Sequence, residues 1–516
     1  MSPDVIQPLP IPCGPSREDD ASGPCAGLQS RLTARSAFLV ILLLEFLLLG
    51  SWLLDPAGWF SLAILAGAIF LAVRVFLTLR EFNQQALLLF TLSVGSIRLT
   101  TSIRAVAFIH TFNLGWAFMP SDRLSAAIII HAVLFLTFAL VQLIRKPNFD
   151  RDVLVQTGVL ALLVVKGVLD AHTFLHWSLY QYLLDASILF GCTGFLAEAR
   201  HRRLAVSERD LWACLKVILC LALIDGLGSM LRLTSWARSW RQGYNGILSG
   251  SEVYLAALAG TAFLILWAGK SIKMSLRAAL CAFLAWCIIL TFNTTALVAV
   301  LASAILFANA VRRSVPRLRL VSMALLVSLV IVGTTFYIRK MVFTDTANST
   351  ASRVGTVIAV VPVVSEHPVL GGGSGIFETM EMTNMAQAAF DSGYGQWLGG
   401  LGLPSGITEE VISRSGSEDE GASNPHISPF FLIASYGVVI LPLVIWLYGV
   451  LPYRFFKAWR RGSPLPEVCP MLYFFFWLFS IMHPRIYIFE FMFLAAMAGL
   501  LYRKPKTACG NGHQFP

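Results

Sequence analysis

The chain has 516 residues, of which 56% are hydrophobic and 13% charged, and it carries a formal net charge of +10. About a quarter of an average soluble domain is charged, so this composition, with a mean hydropathy of +0.71, excludes an ordinary water-soluble enzyme and points to a membrane. The positive charge does not call for nucleic acid, because the basic residues sit in short clusters between apolar runs, as topology signals do.

Residues 1–36 are rich in Pro, Gly and Ser and include Glu18-Asp19-Asp20, too little apolar surface to pack, so a disordered cytoplasmic N-terminus is expected. Apolar runs near the length of about twenty residues that crosses a bilayer then recur. They predict helices over 37–54, 58–78, 86–104, 123–144, 152–170, 176–197, 209–231, 251–269, 276–292, 294–312 and 318–337, and again over 428–452, 469–483 and 486–502. Arg98 and Arg104 interrupt the third run, and 105–119 reads alternatively as a re-entrant or interfacial piece. The expected fold class is all-α: a polytopic transmembrane helix bundle of about 12–14 spans with one large extracytoplasmic loop. Residues 37–337 form its N-terminal bundle, 338–427 the loop, 428–502 the C-terminal helices and 503–516 a cytoplasmic tail.

Charge sets the expected orientation. Arg31 and Arg35, Arg145-Lys146, Arg200 with Arg202-Arg203, Lys270 with Lys273, Arg312-Arg313, Arg454 with Lys457 and Arg460-Arg461, and Arg503-Lys504 fall on alternate connections. The positive-inside tendency assigns these to the cytoplasm, with both termini, and places 338–427 outside. The expected location is a membrane, with both termini on its cytoplasmic side. The cations left on the outer side, chiefly Arg232, Arg238, Arg241, Arg339, Lys340, Arg353, Arg414 and Arg485, then need a reason to be there.

The nine cysteines show no spacing of a zinc site or disulfide framework and read as small apolar residues in helices; no metal and no cofactor are expected. The intramembrane charges Glu45, Arg74, Lys166, Asp170, Asp185, Asp225 and Glu490 would be costly against lipid and are expected to pair inside the bundle. The long loop contains Phe377, Met380, Met382, Met385 and Phe390 at helix-like spacing, and reads as a partly folded cap.

Three constellations carry candidate chemistry. Arg241, in Trp240-Arg241-Gln242-Gly243-Tyr244, and Arg353, early in the loop, offer forked, permanently charged donors matched to phosphate oxygens. Both also suit lipid headgroups or loop carboxylates. His426, between Asn424-Pro425 and the helix beginning near Ser428, is placed to take a proton at neutral pH, or to serve as a surface or capping histidine. The run His367-Pro368-Val369-Leu370-Gly371-Gly372-Gly373-Ser374-Gly375 reads either as a tight turn or as an anion cradle of backbone N–H groups; it is neither a P-loop nor a dinucleotide fingerprint. The acidic residues Glu409, Glu410, Glu418, Asp419 and Glu420 read as a solvated run, with orientation of His426 or divalent-ion binding as alternatives.

Taken together, these pieces resemble the O-antigen ligase and O-antigen polymerase superfamily, multi-spanning transferases with a large extracytoplasmic loop near the C-terminal end. The resemblance rests on Arg353, on the His367-Pro368-x-x-Gly371-x-Gly373 turn followed by Gly375, on His426 with Gly437 eleven positions later, and on Arg241-Gln242-Gly243. It spans about 230–450. Ile427 stands where the ligase signature has a polar residue, Ile440 where a second Gly is expected, and Asn293-Thr294-Thr295 where many members carry Ser-Arg.

The resemblance implies an inverting glycosyltransferase whose donor is a glycan on polyprenyl diphosphate. Arg241 and Arg353 would bind the diphosphate, and His426 would deprotonate the acceptor hydroxyl. His367, Pro368, Gly371, Gly373, Gly375 and Gly437 would be structural. The incomplete ligase signature favours a polymerase of repeat units, making exopolysaccharide or O-antigen, over a ligase acting on lipid A core or protein. A flippase for the same lipid-linked sugars is the alternative from another class, disfavoured by the absence of repeat symmetry. Expected partners are the lipid-linked oligosaccharide, membrane lipid, and other polysaccharide assembly and export proteins, with no nucleic acid.

Overall fold

The fold was determined as a computed structural model. It describes residues 59–79, 102–104, 123–145, 157–165, 208–231, 252–268, 272–291, 293–310, 364–372, 428–460 and 468–482, with isolated positions between 84 and 89, between 154 and 191, and at 360 and 361. The predicted N-terminal tail, the helices over 37–54, 318–337 and 486–502, and the tail 503–516 lie outside the described residues.

In chain order the elements are α1 (Trp59–Thr78), β1 (Ser102–Arg104), β2 (Arg123–Ser125), α2 (Ala126–Arg145), α3 (Glu208–Leu231), α4 (Glu252–Ala268), α5 (Met274–Leu290) and α6 (Thr294–Ala310). A broken rod follows: α7 (Ser428–Tyr436), a single 3-10 turn (Val438–Ile440), α8 (Leu441–Ile445), a π turn (Trp446–Val450) and α9 (Leu451–Arg460). The last is α10 (Val468–Met482).

Helix α4 is the centre. It packs against α3, α5, α6 and α10. Its sequence explains the position, because it is apolar on every face and a helix with no polar face has to be covered all round. Ala256, Ala257, Ala259, Thr261, Ala262 and Leu264 are fully buried. Small residues let neighbours come close. A Cβ added at Gly260 would lie 2.8 Å from Phe475 Cζ of α10 and 2.9 Å from Val300 Cγ2 of α6, so α4, α6 and α10 converge at that position.

Aromatic rings fill the space further out. Phe475 stacks on Phe479 at 5.6 Å between centroids and meets Phe476 edge-on at 5.1 Å, and all three are buried. Fully burying one such ring stabilises the fold by about 1.5–3 kcal/mol. Helices α1 and α2 pair separately through an edge-to-face contact of Phe76 with Phe138.

Local chemistry sets the turn between α5 and α6. Thr291 closes α5 by donating its hydroxyl to the Ile288 carbonyl at 2.6 Å. Asn293 then opens α6, its Oδ1 accepting the Ala296 N–H at 2.9 Å, an N-cap bond that satisfies a first-turn donor. The asparagine standing where the resemblance leads one to expect Ser-Arg is thus a helix cap.

The expectation of an all-α polytopic transmembrane bundle is corrected. Among the described residues, no helix is long and apolar enough to cross a membrane. Helices α4, α5 and α6 have 17 residues each. At the α-helical rise that is about 25 Å, short of a hydrocarbon core of about 30 Å. Arg74 interrupts the apolar run of α1 and His131 and Gln142 that of α2, and α3 carries Glu208, Arg209, Asp210, Lys216 and Asp225.

Two local expectations change with it. Residues 102–104, expected to end a third span, instead pair with 123–125 as an antiparallel ribbon in the register Ser102↔Ser125, Ile103↔Leu124, Arg104↔Arg123. The apolar run 428–452 is one helix by hydropathy but is broken at Gly437, whose φ of 69° no right-handed helix can continue.

Candidate functional site

Two of the glycines that carry the resemblance meet. Helix α7 ends at Gly437, whose N–H donates to the Ile433 carbonyl at 2.7 Å while its φ of 69° and ψ of −163° turn the chain out of the helix. A break like this leaves carbonyls at the end of one helix and N–H groups at the start of the next without intrahelical partners. The turn His367–Gly372 supplies partners to both sides. The Gly372 N–H donates to the Ala434 carbonyl at 2.8 Å, the Val438 N–H donates to the Pro368 carbonyl at 2.9 Å, and the Val439 N–H donates to the Val369 carbonyl at 3.3 Å. The turn closes on itself through the Gly371 N–H to the His367 carbonyl, 2.9 Å.

Glycine is required at both contact points. Gly371 has φ 70° and Gly437 has φ 69° with ψ −163°, a region open essentially to glycine alone. A Cβ on Gly371 would fall 2.5 Å from the carbonyl carbon of Ser435 and from the Tyr436 nitrogen, and would collide with the Gly437 nitrogen. A Cβ on Gly437 would collide with the Gly371 nitrogen and the Val369 carbonyl. Around this contact, Gly371 and Gly372 are buried, whereas His367, Pro368, Val369 and Leu370 are exposed.

This geometry decides between the two uses considered for the Gly-rich run, as far as the described part reaches. The N–H groups of Gly371 and Gly372 are already committed to backbone carbonyls, so they do not present themselves to an anion. The turn is a backbone clasp across the break between α7 and the 3-10 turn that follows it. In the chain, His426 stands two positions before α7 begins.

His426, Arg241, Arg353, Gly373 and Gly375 lie outside the described residues, as does the acidic run from Glu409 to Glu420. Of the charged positions singled out within apolar runs, Arg74 is exposed on α1, and Asp225 is fully buried in α3. Glu45, Lys166, Asp170, Asp185 and Glu490 fall outside the described residues. Cys220 is exposed, and Cys281 and Cys287 are buried free thiols. Among the described residues, no group of His, Cys, Asp and Glu could hold a metal ion.

Sequence reasoning treated the turn and the helix mouth as separate motifs and missed the bonds that join them, and with those bonds Ala434, Val438 and Val439. The available signal was the pair of glycines, Gly371 in the Gly-rich run and Gly437 eleven positions after His426. Backbone-to-backbone bonds leave no mark on side-chain identity, so the partners themselves carried none. No family model, characterised protein or solved structure matches the chain.

Proposed function

We propose that the chain is an inverting glycosyltransferase that joins polyprenyl-diphosphate-linked oligosaccharide repeats into a surface polysaccharide at the periplasmic face of a bacterial inner membrane. The observation that supports this reading is the clasp. The His367-Pro368-x-x-Gly371 turn and Gly437 both belong to the pattern that carries the resemblance, and they are in direct backbone contact.

In the reaction, an acceptor hydroxyl oxygen attacks the anomeric carbon of the donor glycan. The bond from that carbon to the diphosphate oxygen breaks, and polyprenyl diphosphate leaves with the electron pair. His426 takes the acceptor proton. Arg241 and Arg353 neutralise the charge that develops on the diphosphate, the role forked guanidinium donors fill best.

The experiment is His426→Ala and Arg353→Ala in the full chain, with expression matched and surface polysaccharide analysed. Loss of polymer with single repeats accumulating on the lipid carrier is the expected result. Long lipid-linked polymer left unattached would instead assign a ligase. Normal polymer length and amount in both variants would falsify the transferase reading.

A further inference from the structure

The broken rod 428–460 presents a face that the transferase reading leaves unused. Val438 is 51% exposed, Leu441 36%, Ile445 54% and Tyr453 65%. The first three follow a spacing of three and four residues and so share one side. Tyr453 joins them because of the π turn. A π turn takes up about one residue more than an α turn, so the eight residues from Ile445 to Tyr453 make about two full turns.

The break that creates this register is stabilised from inside. Pro452 has no N–H to give the carbonyl four residues back, that of Tyr448, and a proline in a helix normally leaves that carbonyl without its bond. Here the Trp477 indole N–H of α10 donates to the Tyr448 carbonyl at 3.3 Å. Leu451, next to Pro452, is buried, so α9 is rooted in the core while Tyr453 and Lys457 stand outside.

Charge completes the face. Lys457 is exposed and lies over the Tyr453 ring, 5.9 Å from its centroid. Arg460 follows three positions later, and no acidic residue occurs between Leu441 and Pro464. An exposed apolar strip that ends in tyrosine and lysine is the pattern of a bilayer interface, where apolar side chains meet acyl chains and aromatic rings and cations sit among headgroups.

We propose that the strip Val438, Leu441, Ile445 and Tyr453, continued by Lys457, is a docking face for a bilayer surface bearing anionic phospholipid. Contact of this kind needs no crossing helix, and it holds whether or not the chain transfers sugar.

The test uses the wild-type full chain in phosphatidylcholine vesicles. The vesicles carry a trace of photoactivatable lipid with its reactive group near the headgroup, either phosphatidylglycerol or phosphatidylcholine, and adducts are mapped by peptide mass spectrometry. With each surface cation contributing about fivefold to anionic-lipid preference, adducts on 451–460 are expected at least about fivefold more often with the phosphatidylglycerol probe. The preference should approach parity in Lys457→Glu and at high salt. Equal labelling of this helix by the two probes, or labelling confined to other parts of the chain, overturns the proposal on the wild-type protein alone.

Discussion

Gly371 and Gly437 meet backbone to backbone, each in a positive-φ conformation and each occupying the space a side chain on the other would need. The contact is reciprocal. The turn fills the hydrogen-bonding gap left by the broken helix, and the broken helix buries the turn's glycines.

Substituting either glycine therefore strains the backbone and forces the two segments apart. Gly371→Ala and Gly437→Ala should each cost at least about 2 kcal/mol, from the positive-φ penalty plus the collision. Because both act on the same contact, the double variant should lose clearly less than the two losses added together. Thermal or denaturant unfolding of the full chain measures all three. Full additivity would mean that the glycines act independently.

Glycines elsewhere should respond with opposite signs. Gly260→Ala places a methyl group against Phe475 and Val300 and should destabilise by about 1–3 kcal/mol through overpacking. Gly67→Ala, on the exposed side of α1 with nothing within 4 Å of the added carbon, should stabilise by up to about 1 kcal/mol through helix propensity. The same melting experiment reads both, and equal signs would contradict the close approach of α4, α6 and α10.

The bond from Trp477 to the Tyr448 carbonyl offers a coupling measurement. Trp477→Phe removes one donor to a partly buried backbone acceptor and should cost about 1 kcal/mol beyond the loss of ring area. Pro452→Ala restores an N–H that can serve the same carbonyl. In that background the cost of Trp477→Phe should shrink, giving a non-zero interaction term in a double-mutant cycle. A zero term would separate the indole from the helix break.

Hydropathy located many of the helices, because burying apolar runs dominates the free energy of folding. The runs read at 58–78, 209–231, 251–269 and 469–483 are occupied by α1, α3, α4 and α10 within a residue or two. What those helices do with their apolar faces was misread as membrane crossing. In α4 the apolar surface is consumed by α3, α5, α6 and α10, and hydropathy alone does not distinguish a protein neighbour from lipid. The ribbon 102–104/123–125 escaped notice because two strands of three residues carry too few side chains to show a period of two. The break at Gly437 escaped because one glycine within an apolar run barely changes its mean.

By itself the sequence located α1, α3, α4 and α10 to within a residue or two, since apolar runs of that length follow from side-chain type and local spacing. Only the tertiary structure decided that Gly371 and Gly437 are two halves of one contact, and that the π turn turns Tyr453 onto the exposed row. Both depend on backbone hydrogen bonds and on dihedral angles that become favourable only when a partner segment is present, and side-chain order along the chain does not record them.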